Sequence, residues 1–90
     1  MKVSKIRNIG PVSRTWLHEV GIYSLEDLQA CGSVATFRMI KSIRPQVSLN
    51  LLWALEGAIV DVDWRELPQA HKRLLREEVK GEYFPPRVGD

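Results

Sequence analysis

The chain has 90 residues, of which 44% are hydrophobic and 27% are charged, proportions that exclude an intrinsically disordered chain. The length permits one domain with a single modest core. One cysteine and two histidines, far apart in the sequence, exclude an internal disulfide and argue against a metal or other cofactor. Because no apolar run approaches the roughly 20 residues that cross a bilayer, the sequence predicts a cytoplasmic protein.

Charge is unevenly distributed along the chain. Thirteen Lys and Arg against eleven Asp and Glu give a net charge of +2. Residues 1–44 hold seven bases and three acids, a balance of +4, whereas residues 45–90 hold six bases and eight acids, a balance of −2. The first eighteen residues contain Lys2, Lys5, Arg7 and Arg14 but no acid. This asymmetry favours an anionic partner near the N-terminus.

Helix signals follow one another in the first half of the chain. A first helix is predicted to begin at Pro11 and to end at Gly21. A second, with Ser24 as its N-cap, ends at Gly32, and a third runs from there to a stop before Pro45. The predicted apolar face of the first helix consists of Val12, Trp16, Leu17 and Val20.

The segment Leu49–Val60 is apolar nearly all round, which predicts a helix at the centre of the domain. Gly57 within it predicts close approach of a neighbouring helix, because glycine otherwise costs a helix about 1 kcal/mol. Pro68 opens a last helix that Gly81 closes. The residues predicted to face inward on it are Ala70, Leu74, Leu75 and Val79. The sequence thus predicts one all-α domain of about five short helices, residues 1–82, and a flexible tail, residues 83–90.

The segment Ile6–Ile22 resembles a helix-hairpin-helix element, with a tight turn around Gly10 and Asn8 in place of the usual first glycine. Such a turn exposes backbone N–H groups beside a helix N-terminus, where the helix dipole favours an anion. A phosphodiester suits this place without any reading of bases. The candidate nucleic-acid-binding residues are Lys5, Arg7, Asn8, Gly10, Val12, Ser13 and Arg14, of which Gly10 and Val12 act through their backbone N–H groups.

A longer resemblance covers residues 5–76. The strings Ile9–Ser13, Val20–Ile22, Leu25–Leu28, Val47–Ala58 and Trp64–Pro68 resemble the C-terminal domain of the TfoX/Sxy family. The resemblance implies a SAM-like or helix-hairpin-helix-like bundle and a role in regulating bacterial competence for DNA uptake. The family is not known for enzymes, and its full-length members carry an α/β domain before this one, so the family's whole activity is not expected of 90 residues.

Several alternatives stay open at this stage. The hairpin could be a structural turn, and the domain could bind another protein or form a homodimer, through an apolar patch around Ile22, Tyr23 and Phe84. The three tryptophans are expected in the core rather than stacked on bases. Glu56 is expected to pair with a base such as Arg14 or Arg44, or to cap a backbone N–H. No nucleophile with a base and no pair of carboxylates at useful spacing predicts an enzyme.

Overall fold

A computed structural model describes the backbone of residues 6–83 and the side chains of residues 6–80. Within this part of the chain the regular structure is five α-helices and one 3₁₀ helix, which confirms the all-α prediction. In chain order they are α1 (Pro11–Glu19), α2 (Leu25–Cys31), α3 (Ser33–Ile43), α4 (Leu49–Val60), the 3₁₀ helix (Trp64–Glu66) and α5 (Gln69–Tyr83).

Local signals set most of the helix ends. The Ser24 hydroxyl accepts a hydrogen bond from the Asp27 N–H (3.0 Å) at the start of α2. Ser48 caps α4 in the same way through the Asn50 N–H (3.2 Å). After α1 the chain turns at Gly21, whose φ of +86° is accessible to glycine but strained for other residues.

Helix α4 occupies the centre, as its composition predicts. It contacts α2, α3, α5 and the 3₁₀ helix. Leu52 and Leu55 are fully buried, and Trp53 is nearly so. Trp16 and Trp64 are partly buried against the same core, so all three tryptophans pack as expected. Burial of each large apolar side chain contributes about 1.5–3 kcal/mol, which explains why so short a chain can fold around one apolar helix.

The buried face of α1 differs from the predicted one. Leu17 is completely buried, but Val12 is 60% exposed. At 100° per residue, Val12 points about 140° away from Leu17. The face that packs is centred on Leu17, so the prediction that Val12 faces inward was wrong.

Helix α5 shows the same kind of difference. Leu75 is buried and Val79 is partly buried, as predicted, whereas Ala70 is exposed and Leu74 is 67% exposed. Ala70 and Leu74 lie about 140° and 100° from Leu75 around the helix, so they lie outside the packed face. The helix runs to Tyr83 instead of ending at Gly81. The rest of the predicted tail, residues 84–90, lies outside the described residues.

Gly57 is a point of close approach, although its neighbour is not a helix. A Cβ at this position would lie 2.6 Å from Asn8 Nδ2, 2.8 Å from the Val62 carbonyl oxygen and 3.3 Å from the Trp64 Cα. Helix α4 therefore packs here against the turn before α1 and against the connector that follows α4 (residues 61–64). Only a residue without a side chain leaves room for both.

Candidate functional site

The turn before α1 is a tight one, as the hairpin resemblance predicts. The Ile9 N–H donates to the Ile6 carbonyl oxygen (3.2 Å), and Asn8 has a φ of +70°. Asn enters this left-handed region more readily than most other residues. The turn therefore forms with Asn8 in place of glycine, and it uses the Ile9 amide internally.

The side chain of Asn8 joins this turn to the connector after α4. Its Nδ2 donates to the Val62 carbonyl oxygen (2.9 Å), and its Oδ1 accepts from the Trp64 N–H (3.3 Å). The carboxamide is partly buried and lies against Gly57. Both ends of the amide are used within the fold, so Asn8 holds two distant segments together instead of presenting a free donor.

Arg7 is also engaged with the connector. Its Nη1 donates to the Asp61 backbone carbonyl (2.8 Å) and lies 3.5 Å from Asp61 Oδ1. The two side chains are 47% and 89% exposed, so their attraction is screened and worth at most about 1 kcal/mol. The solvated carboxylate of Asp61 thus lies beside Arg7. It competes with an incoming anion for the guanidinium but does not block access to it.

The start of α1 remains open. Gly10 is its N-cap and supplies no capping side chain, and no acidic residue lies in the first turn. The Arg14 N–H makes the first intrahelical bond, to Gly10 O (2.9 Å). Because Pro11 has no N–H, the first-turn donors without an intrahelical acceptor are those of Val12 and Ser13. These two amides form part of the positive end of the helix dipole.

The structure keeps the described members of the predicted set accessible. Gly10 and Val12 are exposed and Ser13 and Arg14 are half exposed at the start of α1, whereas the exposed Arg7 side chain lies with Asp61 at the end of α4. Lys5 lies outside the described residues. Next to this surface, a hollow of about 320 Å³ lies between the starts of α1 and α4. Its polar lining comes from Ser13, Gln46, Ser48 and Asn50, and Trp16 forms one wall.

A second concave region, which the sequence did not predict, lies where α5 crosses the start of α3 and the second half of α4. It is an open groove of about 490 Å³. Glu56 lies in it, with a side chain only 15% exposed. Its Oε1 accepts from the Ser33 hydroxyl (2.7 Å), and its Oε2 lies 2.9 Å from His71 Nε2. Glu56 thus has a basic partner, as expected, but that partner is His71 and neither of the two arginines named as examples. Arg44 pairs with Glu19 (2.7 Å).

The polar side chains of this groove are linked through Glu56. Its carboxylate lies between the Ser33 hydroxyl and the His71 imidazole, so Ser33 donates to Glu56 rather than to His71. Cys31 lines the same groove and is half buried. Among the described residues no group of three or more His, Cys, Asp or Glu side chains could hold a metal ion.

The apolar patch expected around Ile22 does not form as predicted. Ile22 is buried in the core, Tyr23 is 58% exposed and stacks at an angle on His18, and Phe84 is outside the described residues. Among the large apolar side chains of the described residues, Leu74 in the groove is the most exposed, at 67%. Of the described helices, none has the length and apolar character to cross a membrane.

Comparison with known proteins places the chain among small helical domains. The model of the TfoX C-terminal domain matches residues 1–79. An uncharacterized protein from Listeria monocytogenes, in a triclinic crystal form, is 28% identical with a TM-score of 0.84, over 98% of this chain and 100% of that one. A protein of unknown function from Listeria monocytogenes, in a tetragonal form, is 31% identical with a TM-score of 0.81, over 89% and 98%. No curated protein matches the chain.

Proposed function

The chain belongs to the TfoX C-terminal domain family, and from this membership we propose that it is a non-catalytic module of a cytoplasmic competence regulator. In this role it contacts the nucleic-acid backbone at the start of α1. The observation that carries the proposal is the uncapped first turn of α1, which offers the Val12 and Ser13 amides beside Arg14.

The expected mode of contact follows from these donors. A phosphate at the start of α1 accepts from the two amides and from the Ser13 hydroxyl, while Arg14 supplies a cation. None of these groups distinguishes one base from another, so binding is independent of sequence. The small number of cations predicts weak binding, with a dissociation constant on the order of micromolar to a tenth of a millimolar at physiological salt.

Asp61 acts on this contact only through Arg7. Its carboxylate lies 3.5 Å from Arg7 Nη1 and offsets a cation that would otherwise attract the DNA backbone. The substitution Asp61→Asn removes that charge, and asparagine tolerates the φ of +63° at this position. We therefore expect Asp61→Asn to bind DNA more tightly than the wild type.

Titration of a fluorescent duplex at two ionic strengths tests the proposal. Binding should weaken as salt is added, with a shallow slope because few cations take part. Arg14→Glu alone, and Arg7→Glu combined with Arg14→Glu, should abolish it. Arg76→Glu makes the same charge change on exposed α5 and serves as the matched control. Absent binding, salt-insensitive binding or equal loss in the control would overturn the proposal, provided that thermal melting shows each variant folded.

A second function, contact with another protein, is favoured by a different observation. Leu74 exposes two thirds of its surface at the edge of a groove that Val34, Ile59 and Leu75 also line. Such an apolar surface, which the fold does not cover, is typical of a protein-interaction site. This surface shares no residue with the start of α1, so the two functions can be tested separately.

A further inference from the structure

The groove beside α5 has walls from four segments of the chain. The end of α2 and the start of α3 form one side, and α5 forms the other, with α4 as the floor. The apolar part of the lining consists of Val34, Ala35, Ile59, Leu74 and Leu75. A volume of about 490 Å³, widely open to solvent, suits a few side chains of a segment lying along the groove.

The permanently charged groups in the groove are acidic. Glu56 and Glu78 supply carboxylates, and among the described lining residues the basic side chain is that of His71, which pairs with Glu56, with no Lys or Arg. This is unusual for a chain whose net charge is +2 and whose α5 carries four bases. On the helix, Glu78 follows Leu74 by one turn, so an acidic group stands next to the exposed apolar one.

Glu56 is held in a fixed orientation. Ser33 and His71 each bind one of its two oxygens, from α3 and from α5. Fixed in this way, the carboxylate loses little side-chain entropy when a partner arrives. A cationic group entering the groove meets one preorganised acid on the floor and one flexible acid, Glu78, on the rim.

We propose that this groove binds a short basic and apolar peptide segment of a partner protein. An aliphatic side chain of the segment packs between Leu74 and Ile59, and a Lys or Arg side chain reaches Glu78 and Glu56. The proposal deepens the second function, protein contact, by naming the class of partner. It does not depend on the nucleic-acid contact, because phosphates are repelled by two carboxylates and belong at the other surface.

Selection from a displayed library of short random peptides, with the folded domain as bait, tests whether the groove prefers basic peptides. The selected peptides should be enriched in Lys or Arg beside Leu, Ile or Val. Glu78→Lys should weaken a selected peptide by about tenfold or more. Glu77→Lys, the same change at an exposed neighbour outside the groove, should leave the affinity unchanged within about twofold.

A second pair of variants tests the proposed apolar contact with Leu74. Leu74→Ser should also weaken the selected peptide by about tenfold. Val12→Ser, the same kind of change at a similarly exposed residue of α1, should not. Both positions are exposed, so neither variant is expected to unfold the domain. Selection of acidic peptides, no selection at all, or equal effects of Glu78→Lys and Glu77→Lys would overturn the proposal. Concentration-dependent self-association that Leu74→Ser abolishes would also overturn it, because the occupant would then be a second copy of this chain.

Discussion

The turn before α1 and the groove beside α5 differ in how the fold uses their side chains. At the turn, polar residues typical of a binding motif are used inside the protein: Asn8 and Arg7 bind the connector after α4. In the groove, Leu74, an apolar residue typical of a core, stays exposed. The comparison teaches that residue type alone does not separate residues that stabilise a fold from residues free to bind.

The turn before α1 can be tested first at Gly57, where it packs against α4 and where the largest effect is expected. Gly57→Ala places a methyl group within 2.8 Å of the Val62 carbonyl oxygen and 2.6 Å of Asn8 Nδ2. Because the Val62 carbonyl belongs to the backbone, the connector must shift to relieve the clash, so the cost is expected at or above the upper end of the roughly 1–3 kcal/mol typical of overpacking. This outweighs the gain of about 1 kcal/mol from alanine's helix propensity. Urea unfolding should therefore show a less stable protein.

Gly10→Ala is the control for that experiment. No atom lies within 4 Å of a Cβ at position 10, so the change in unfolding free energy should stay below about 1 kcal/mol. If both variants lost the same stability, the turn would not be packed tightly against α4.

A substitution of Asn8, whose side chain joins the turn before α1 to the connector, is the next test. Asn8→Ala removes two hydrogen bonds and places alanine at a positive φ, so a loss of about 2 kcal/mol is expected in urea unfolding. Asn8→Gly loses the same bonds but accepts the backbone conformation and should lose less. A stability change within about 0.5 kcal/mol for Asn8→Ala would show that the amide contributes nothing to the fold.

In the groove a smaller effect is expected. Glu56→Ala removes the acceptor of the buried Ser33 hydroxyl and the partner of the half-buried His71. Both residues line the open groove, so water can enter the space that the side chain leaves and bind them. The expected loss is about 1 kcal/mol. Glu77→Ala, an exposed acid on the same helix as His71, should change the unfolding free energy by less. A loss for Glu56→Ala as large as that for Gly57→Ala would mean that this groove is part of the closely packed core.

Asp63, in the connector that holds the turn, gives the smallest expected effect. Arg65 donates to both its carboxylate oxygens (3.0 and 2.7 Å) and lowers the pKa of Asp63 well below its usual range. A carboxyl whose pKa is lower in the folded state than in the unfolded state stabilises the fold at pH values above its unfolded-state pKa. This stabilisation is lost as the pH falls through the folded-state pKa.

Asp63→Asn should therefore lower the melting temperature slightly at neutral pH, and the difference from wild type should vanish in strong acid. Glu77→Gln serves as the control and should show no such pH dependence. A deficit of Asp63→Asn that stays constant down to strong acid would contradict the ion pair with Arg65.

What the sequence could predict was local. Pro11, Ser24 and Ser48 mark helix starts because a cap depends on residues one turn away. The central place of α4 followed from its apolar composition. The partners of Asn8 could not be predicted, since Val62 lies 54 positions away and no local pattern joins them.

The groove lay beyond prediction for a related reason. The apolar residues of α5 are compatible with more than one packed face, and the choice of the face centred on Leu75 depends on how α5 meets α3 and α4. Glu56 shows the same limit. A carboxylate in an apolar helix signals a partner, but the identity of that partner, Ser33 and His71 rather than an arginine, is a property of the assembled fold.

The most direct test of the nucleic-acid contact is a titration of the isotope-labelled domain with a short DNA duplex, followed through its backbone amide shifts at low and at physiological salt. The start of α1 should respond, with shifts at Gly10, Val12, Ser13 and Arg14 that shrink as salt is added, while Leu74 stays unchanged. Shifts that are absent from α1, that salt does not reduce, or that are as large in the groove would contradict a phosphate contact at this helix start.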